Sequence, residues 1–313
     1  MIVVKFSGGL GNQMYQYAIY SLLKKKYPQT EIKADISFYN LLCEHNGFEI
    51  DKVFITNEKI EYASKKEITK FCSKYIPGKL ASKMPQRIKT LIAYNLQYKL
   101  SRIKGWLNKE KALSVVNGLE INVYNPLIYC LNVKEHDFYL DGLWQNVQYF
   151  ADDVPYIKSI FQYKNDYGEY EEEVSRQIQN CNSVSLHIRR GDFCGTVLDI
   201  CDISYYKRAM NEMKKKLNDI TWFVFSDDIS FARSIIDDNN VVFVKGNKQK
   251  AYYDLMLMSE CKHNILSNST FSFWASFLNN NDEKIVIAPR FCVKNEIGNY
   301  EFSLPDNYIQ IEV

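Results

Sequence analysis

Histidine is scarce: four in 313 residues, which excludes a histidine-rich metal cluster. The eight cysteines are scattered, with none of the paired spacings of a metal site. Neither sign of charge is in excess. The 39 basic residues stand against 37 acidic ones, a formal net charge of +2, which gives no support to a protein that coats nucleic acid. No apolar run approaches the roughly 18 residues that a membrane span needs. The opening MIVVKFSGGLGNQ has no basic leader ahead of an apolar stretch, so it reads as a mature first strand and not as a secretory signal. Reduced thiols and a cytoplasmic protein are then expected. Two nucleotide signatures are also missing. SGGLGNQM matches part of G-x-G-x-x-G at Gly9 and Gly11, but Met14 occupies the third glycine position. No GK[ST] follows to make a P-loop.

What is present is an ordinary globular composition, 46% apolar and 24% charged, long enough to favour two domains. Strand candidates lie at 2–6, 31–34, 138–142, 184–188, 221–226, 241–244, 264–268 and 284–289. Helical spacing fits 13–26, 170–180, 205–217, 252–261 and 272–279. Such alternation predicts parallel sheets with crossover helices, in two α/β domains: 1–150 and 151–313, with the transition near Phe150. Between 79 and 111 there are nine basic residues and one acidic, with Leu96, Leu100, Ile103 and Leu107 at helical spacing. Two readings stand for this segment: a surface helix over a core, or a basic face resting peripherally on an anionic membrane or a lipid-linked substrate.

In α/β sheets ligands gather beyond the carboxyl ends of the strands, and four loops there carry candidate chemistry. Gly8, Gly9, Gly11 and Asn12 follow the first strand; His187, Arg189, Arg190 and Asp192 end another; Ser226, Asp227 and Asp228 end the next; Ser267, Asn268, Ser269 and Thr270 precede a helix. Together they point to a cleft between domains. The glycines expose backbone N–H groups to an anion or simply make a tight turn. NSTFSFW offers donors at a helix start, a seat for phosphate or an ordinary cap. A guanidinium fork matches phosphate oxygens. Alternation puts Arg189 on the face of His187, which makes Arg189 the ligand arginine and Arg190 the structural one, paired with an acid such as Asp192. Asp227, Asp228 and Asp254 are candidate acceptors for a nucleotide. A metal at Asp227 and Asp228 is the weaker alternative, because adjacent acids often cap the following helix and no histidine cluster supports them.

These stretches resemble one family. GGLGNQMYQYAIY, DFYLDGLWQNVQYF, HIRRGDF, FVFSDD, DLMLMSECKHNILSNSTFSFWASFLN and VIAP occur in the order seen in bacterial α-1,2-fucosyltransferases, which share motifs with the blood-group enzymes. The resemblance spans nearly the whole chain. It implies an α/β fold of two Rossmann-like domains facing a cleft, of GT-B type, with an acceptor-side first domain and a donor-binding second. It implies inverting transfer from GDP-β-L-fucose, with no cofactor and no metal, to the 2-hydroxyl of a terminal galactose on a soluble or lipid-linked oligosaccharide. Carried over by motif, Arg189 grips the donor diphosphate beside His187. Asp227, Asp228 and Asp254 lie near the nucleoside. Ser269, Thr270 and Phe271, following Asn268, line the phosphate side, and Gly9, Gly11 and Asn12 face fucose and acceptor. His187 and Asp192 are the candidates for taking the acceptor's proton. The family usually has tyrosine in place of Phe193, GYWQ in place of GLWQ, and NSTFSWW in place of NSTFSFW, differences that bear on acceptor choice. The rival readings are a fucosyltransferase of α-1,6 linkage and a non-catalytic nucleotide- or carbohydrate-binding protein.

Overall fold

Ile2, Val3 and Val4 are β-branched and wholly buried, the pattern of a central strand covered on both faces. They form β1 (Ile2–Lys5), followed by α1 (Leu10–Lys26) and β2 (Ile32–Asp35). The computed structural model describes residues 1–41, 46–56, 59–71, 85, 114–118, 124–164, 166–295 and 298–313. The chain divides into two compact units, Met1–Lys164 and Asn165–Val313. Apart from Pro85, the basic segment 79–111 lies outside the described residues, and with it the expectation of a membrane-facing helix. Among the described residues no helix is long and apolar enough to cross a membrane.

The first unit continues through the short helices α2 (Phe38–Leu41) and α3 (Ile50–Val53), β3 (Phe54–Ile55), α4 (Lys65–Phe71), β4 (Ser114–Gly118), β5 (Phe138–Gly142), α5 (Val154–Ser159) and β6 (Gln162–Tyr163). Its main sheet is parallel, in the order β2-β1-β5-β4. The chain runs from β1 to β2 on one side and reaches β5 on the other. α1 has no acid in its first turn and ends on Lys24, Lys25 and Lys26, which face the negative end of the helix dipole. Residues after Phe150 stay with this unit: β6 pairs antiparallel with β3, and the Lys164 N–H donates to the Val53 carbonyl at 2.8 Å.

The second unit contains α6 (Glu169–Gln179), β7 (Asn182–Ile188), α7 (Ile203–Lys214), β8 (Ile220–Ser226), α8 (Ile229–Ile235), β9 (Val241–Phe243), α9 (Tyr252–Glu260), β10 (His263–Ile265), α10 (Thr270–Leu278), β11 (Val286–Pro289), β12 (Phe291–Asn295), β13 (Gly298–Glu301) and β14 (Ile309–Ile311). Six strands form a parallel sheet in the order β14-β11-β10-β7-β8-β9. The β12–β13 hairpin and β14 lie beyond the elements expected from the sequence. Along β7 the two periodic faces differ. Val184, Leu186 and Ile188 enter an apolar core with Tyr205, Met213, Trp222, Val224, Ile265 and Ile287. Each large aliphatic side chain there contributes about 1.5–3 kcal/mol by burial. Ser183, Ser185 and His187 take the opposite face and are also buried, so they need partners inside the protein. Ser185 Oγ meets this by accepting from Asn264 Nδ2 at 2.7 Å.

Candidate functional site

The order of the larger sheet creates a switch point. From β7 the chain moves to β8 and β9 on one side, then returns to β10 on the other. Ligands of open α/β sheets bind where the order reverses, outside the carboxyl ends of the strands. The His187–Asp192 stretch leaves β7 there, and Ser267–Phe271 leave β10. Ser267 Oγ lies 2.9 Å from His187 Nδ1, and the Phe271 ring centroid is 6.0 Å from that of His187. Burial, and secondarily the Arg189 charge, push the imidazole pKa down to about 3. The ring is therefore neutral at ordinary pH.

Arg189 is held by two carboxylates. Its Nη2 donates to Asp192 Oδ1 at 2.5 Å, and its Nη1 lies 2.7 Å from Asp227 Oδ2. The other oxygen of Asp227 accepts the Arg190 N–H at 2.8 Å. A Cβ on Gly191 would stand 2.6 Å from Asp227 Oδ2, so the glycine of RRGD leaves room for this carboxylate. Arg190 uses a different acid from the one expected. Its Nη1 donates to Asp199 Oδ1 at 2.9 Å, and its guanidinium lies 4.3 Å from the Phe231 ring centroid. The single turn Gly191–Phe193 brings Asp192 back to Arg189 instead, three residues on.

The remaining candidates have distinct surroundings. Asp228 caps α8, its Oδ1 accepting the Phe231 N–H at 3.0 Å. Among the described residues no group of three or more His, Cys, Asp or Glu is placed to hold a metal. The Asn268 side chain is a strap: Nδ2 donates to the Leu198 and Cys292 carbonyls, both at 2.9 Å, and Oδ1 accepts from Cys201 Sγ at 3.5 Å. Ser269 caps α10 by accepting the Phe271 N–H at 3.3 Å, and Thr270 opens that helix, half-buried. Asp254 is placed separately, on α9. Burial first, and Glu171 second, raise its pKa from 3.8 to about 7. A Cβ on Gly246 would lie 3.1 Å from Asp254 Oδ2, so glycine there lets the backbone pass close to the carboxylate.

The first unit has its own switch point, between β1 and β5. Gly8 has φ +77°, and a Cβ there would lie 2.5 Å from Asn12 Nδ2. Both conformation and space require glycine. Gly9 precedes α1, and its carbonyl accepts from the Asn12 and Gln13 N–H groups at 3.0 and 3.1 Å; Gly11 is buried in the first helical turn. Asn12 Oδ1 accepts from Gln145 Nε2 at 2.9 Å, joining the loop after β1 to the loop after β5. Two glutamines that the sequence reading did not single out hold this arrangement. Buried Gln13 donates to the Gly8 and Gly47 carbonyls at 3.1 and 2.8 Å and accepts the Glu49 N–H at 2.8 Å. Buried Gln16 accepts the Ser7 N–H at 2.9 Å and donates to the Gly142 carbonyl at 3.2 Å. Their only sequence signal is an amide on an otherwise apolar helix. Trp144 has φ +56°, an uncommon conformation for a bulky residue, and its buried indole N–H has no hydrogen-bond acceptor among the described residues.

Known proteins similar to this chain share one family. The family model described as Glycosyl transferase family 11 matches residues 1–301. The chain is 31% identical over 327 residues to an Escherichia coli alpha-1,2-colitosyltransferase, covering 100% of this chain and 99% of that one. A shorter match, 31% over 108 residues, joins 32% of this chain to 28% of the rat galactoside alpha-(1,2)-fucosyltransferase 1. Among solved structures, Arabidopsis thaliana FUT1 (mutant R284K, in complex with GDP) superposes with a TM-score of 0.54 at 12% identity, covering 97% of this chain and 75% of that chain. Such a likeness speaks for the fold alone, which is the GT-B type. With a family model spanning almost its entire length and a full-length relative above 30% identity, the chain belongs to glycosyltransferase family 11.

Proposed function

We propose that this glycosyltransferase moves L-fucose from GDP-β-L-fucose to the 2-hydroxyl of a terminal galactose, forming an α-1,2 linkage with inversion. The observation that carries the reading is Arg189 just past β7 at the switch point, two residues after neutral His187, whose ring lies against Ser267 and Phe271 at the start of α10. Departure of GDP builds negative charge on the β-phosphate. A guanidinium fork and the positive end of a helix are suited to stabilise it. Neutral His187 adds no charge of its own. A ring that protonates only near pH 3 is a weak base, and Asp192 sits on the Arg189 fork, the side of the leaving diphosphate on this reading, so neither is assigned as the group that takes the acceptor's proton. Asp254, an acid on α9 beside Gly246, suits the N1–H and 2-amino donors of guanine. In the first unit the amides and glycines of Gly9, Gly11, Asn12 and Gln145 suit sugar hydroxyls, and we assign them to the acceptor side. The acceptor is a galactose-terminated oligosaccharide, soluble or lipid-linked.

A second donor has specific support, because the full-length relative is named for colitose transfer. Colitose is fucose without its 3-hydroxyl. The deciding experiment offers GDP-fucose and GDP-colitose, separately and in competition, to a panel of galactose-terminated acceptors, with product linkage read by NMR. Fucose joined through the 2-hydroxyl is the expected product. Exclusive use of colitose would replace the donor; a 6-linked product would replace the linkage. Nucleotide-sugar binding without any product would leave a binding protein.

A further inference from the structure

Arg189 presents a charge problem that its two partners make concrete. Its two terminal nitrogens each hold a carboxylate, Asp192 through Nη2 and Asp227 through Nη1. A diphosphate gripped by the same fork would meet both acids within hydrogen-bonding range of one guanidinium. Like charges so close disfavour each other. One carboxylate has to give way.

The two acids are not equally free to move. Asp227 is anchored twice, on Arg189 Nη1 and on the Arg190 N–H, and it fills the space that Gly191 leaves. Its side chain is 24% exposed, whereas that of Asp192 is 56% exposed. Asp192 sits on the single turn Gly191–Phe193, and the contact with Arg189 is its side-chain bond among the described residues. We propose that Asp192 is a placeholder on the arginine fork: its carboxylate occupies the Nη2 side, and the donor's diphosphate takes that position when it binds, while Asp227 stays and keeps the guanidinium oriented. This rests on the reading of Arg189 as the diphosphate ligand. Asp192 thereby sets a threshold for nucleotide binding, because only a ligand carrying more negative charge than one carboxylate gains by the exchange.

Calorimetric titration of the full chain with GDP and with guanosine tests the exchange. Asp192→Asn removes the competing charge and keeps the size of the side chain. It is expected to bind GDP about two- to fivefold more tightly, the scale of one exposed ion pair, and to bind guanosine, which carries no phosphate, as the parent does. Unchanged or weaker GDP binding by Asp192→Asn overturns the placeholder, provided Arg189→Ala still weakens GDP binding. Equal GDP binding by Arg189→Ala and the parent overturns the phosphate reading itself, a separate failure. Tightening of GDP and guanosine alike also overturns the exchange, since it would report a general change in the site. Thermal midpoints of all three proteins establish that they are folded.

Discussion

The carboxyl-terminal unit surrounds its strand ends with paired charges: Arg189 between Asp192 and Asp227, Arg190 against Asp199. The amino-terminal unit buries one pair, Lys5 with Asp141 at 3.0 Å, and holds the loops that follow with neutral amides, Gln13, Gln16, Asn12 and Gln145, bonded largely to backbone. The two arrangements differ in what it costs to break them. Charged partners at a partly exposed edge can be exchanged for an anionic ligand at modest cost, since exposed ion pairs are worth only about 0–1 kcal/mol. Buried amides cannot be exchanged so cheaply, because each group left unpaired inside the protein costs about 1–3 kcal/mol. The first arrangement suits a site that trades partners; the second suits a rigid shape.

The largest expected effect separates the two. Arg189→Ala should lower kcat/KM by about 100-fold or more while the thermal midpoint hardly moves, the signature of a donor lost from a transition state. Arg189→Lys should rescue little, since it loses the planar fork. Full activity in Arg189→Ala would end the comparison. In the other unit Gln13→Ala should act on stability, costing about 1–3 kcal/mol in denaturant unfolding because the Glu49 N–H is left buried without its acceptor. An unchanged midpoint would show that the amide frame is not what holds the glycine loop. Arg190→Ala should cost somewhat less, about 1–2 kcal/mol of stability lost with its ion pair and aromatic contact. An inactive but fully stable Arg190→Ala protein would mean that the two arginines have exchanged roles.

A smaller effect concerns pH. On the proposed nucleoside role of Asp254, the ionised carboxylate is the accepting form, so GDP affinity should fall as pH drops below about 7, and Asp254→Asn should flatten that dependence. Because the folded-state pKa is raised from 3.8 to about 7, the ionised carboxylate destabilises the fold. The penalty is absent below the lower value, grows between the two, and is complete above the higher. The thermal midpoint of Asp254→Asn should therefore gain on the parent as pH rises through that window; a constant difference would refute the shift. The smallest effect expected is none: turnover in excess EDTA should match turnover with Mg²⁺. Asp227 is engaged by both arginines, and Asp228 caps a helix. Loss in EDTA that a specific divalent ion restores would overturn this.

The alternation of elements was legible because β-branched and helical periods are local, and the strand ending in His187 shows its two faces in the sequence itself. Elements set by distant partners were not. α1 begins at Leu10, ahead of the start at 13 read from spacing, because glycines look like a turn until the Gly9 carbonyl is seen accepting helix N–H groups. Gln13 reaches a backbone carbonyl at Gly47, which no helical spacing can announce. Strand alternation pairs Asp192 with the wrong arginine, because β7 has already ended at Ile188. The segment after Phe150 looked like the start of a new domain, since its pairing with β3 lies about a hundred residues back.

The Asn268 strap has a consequence of another kind. One buried amide ties together carbonyls at Leu198 and Cys292, and Arg190 grips Asp199, whose second oxygen accepts the Gly195 N–H at 3.0 Å. Between them lies an exposed stretch from Cys194 to Val197, with Gly195 at φ +71°. It is held by hydrogen bonds, among them the Lys294 N–H donating to the Val197 carbonyl at 3.4 Å and Thr196 Oγ1 donating to the Phe193 carbonyl at 2.7 Å, and not by a core of its own, so it can open while the sheet stays folded. That makes it a natural point of entry for a protease among the described residues. The rate of a single nick there would report how firmly Arg190 and Asn268 are seated, on a clock independent of both global unfolding and sugar transfer.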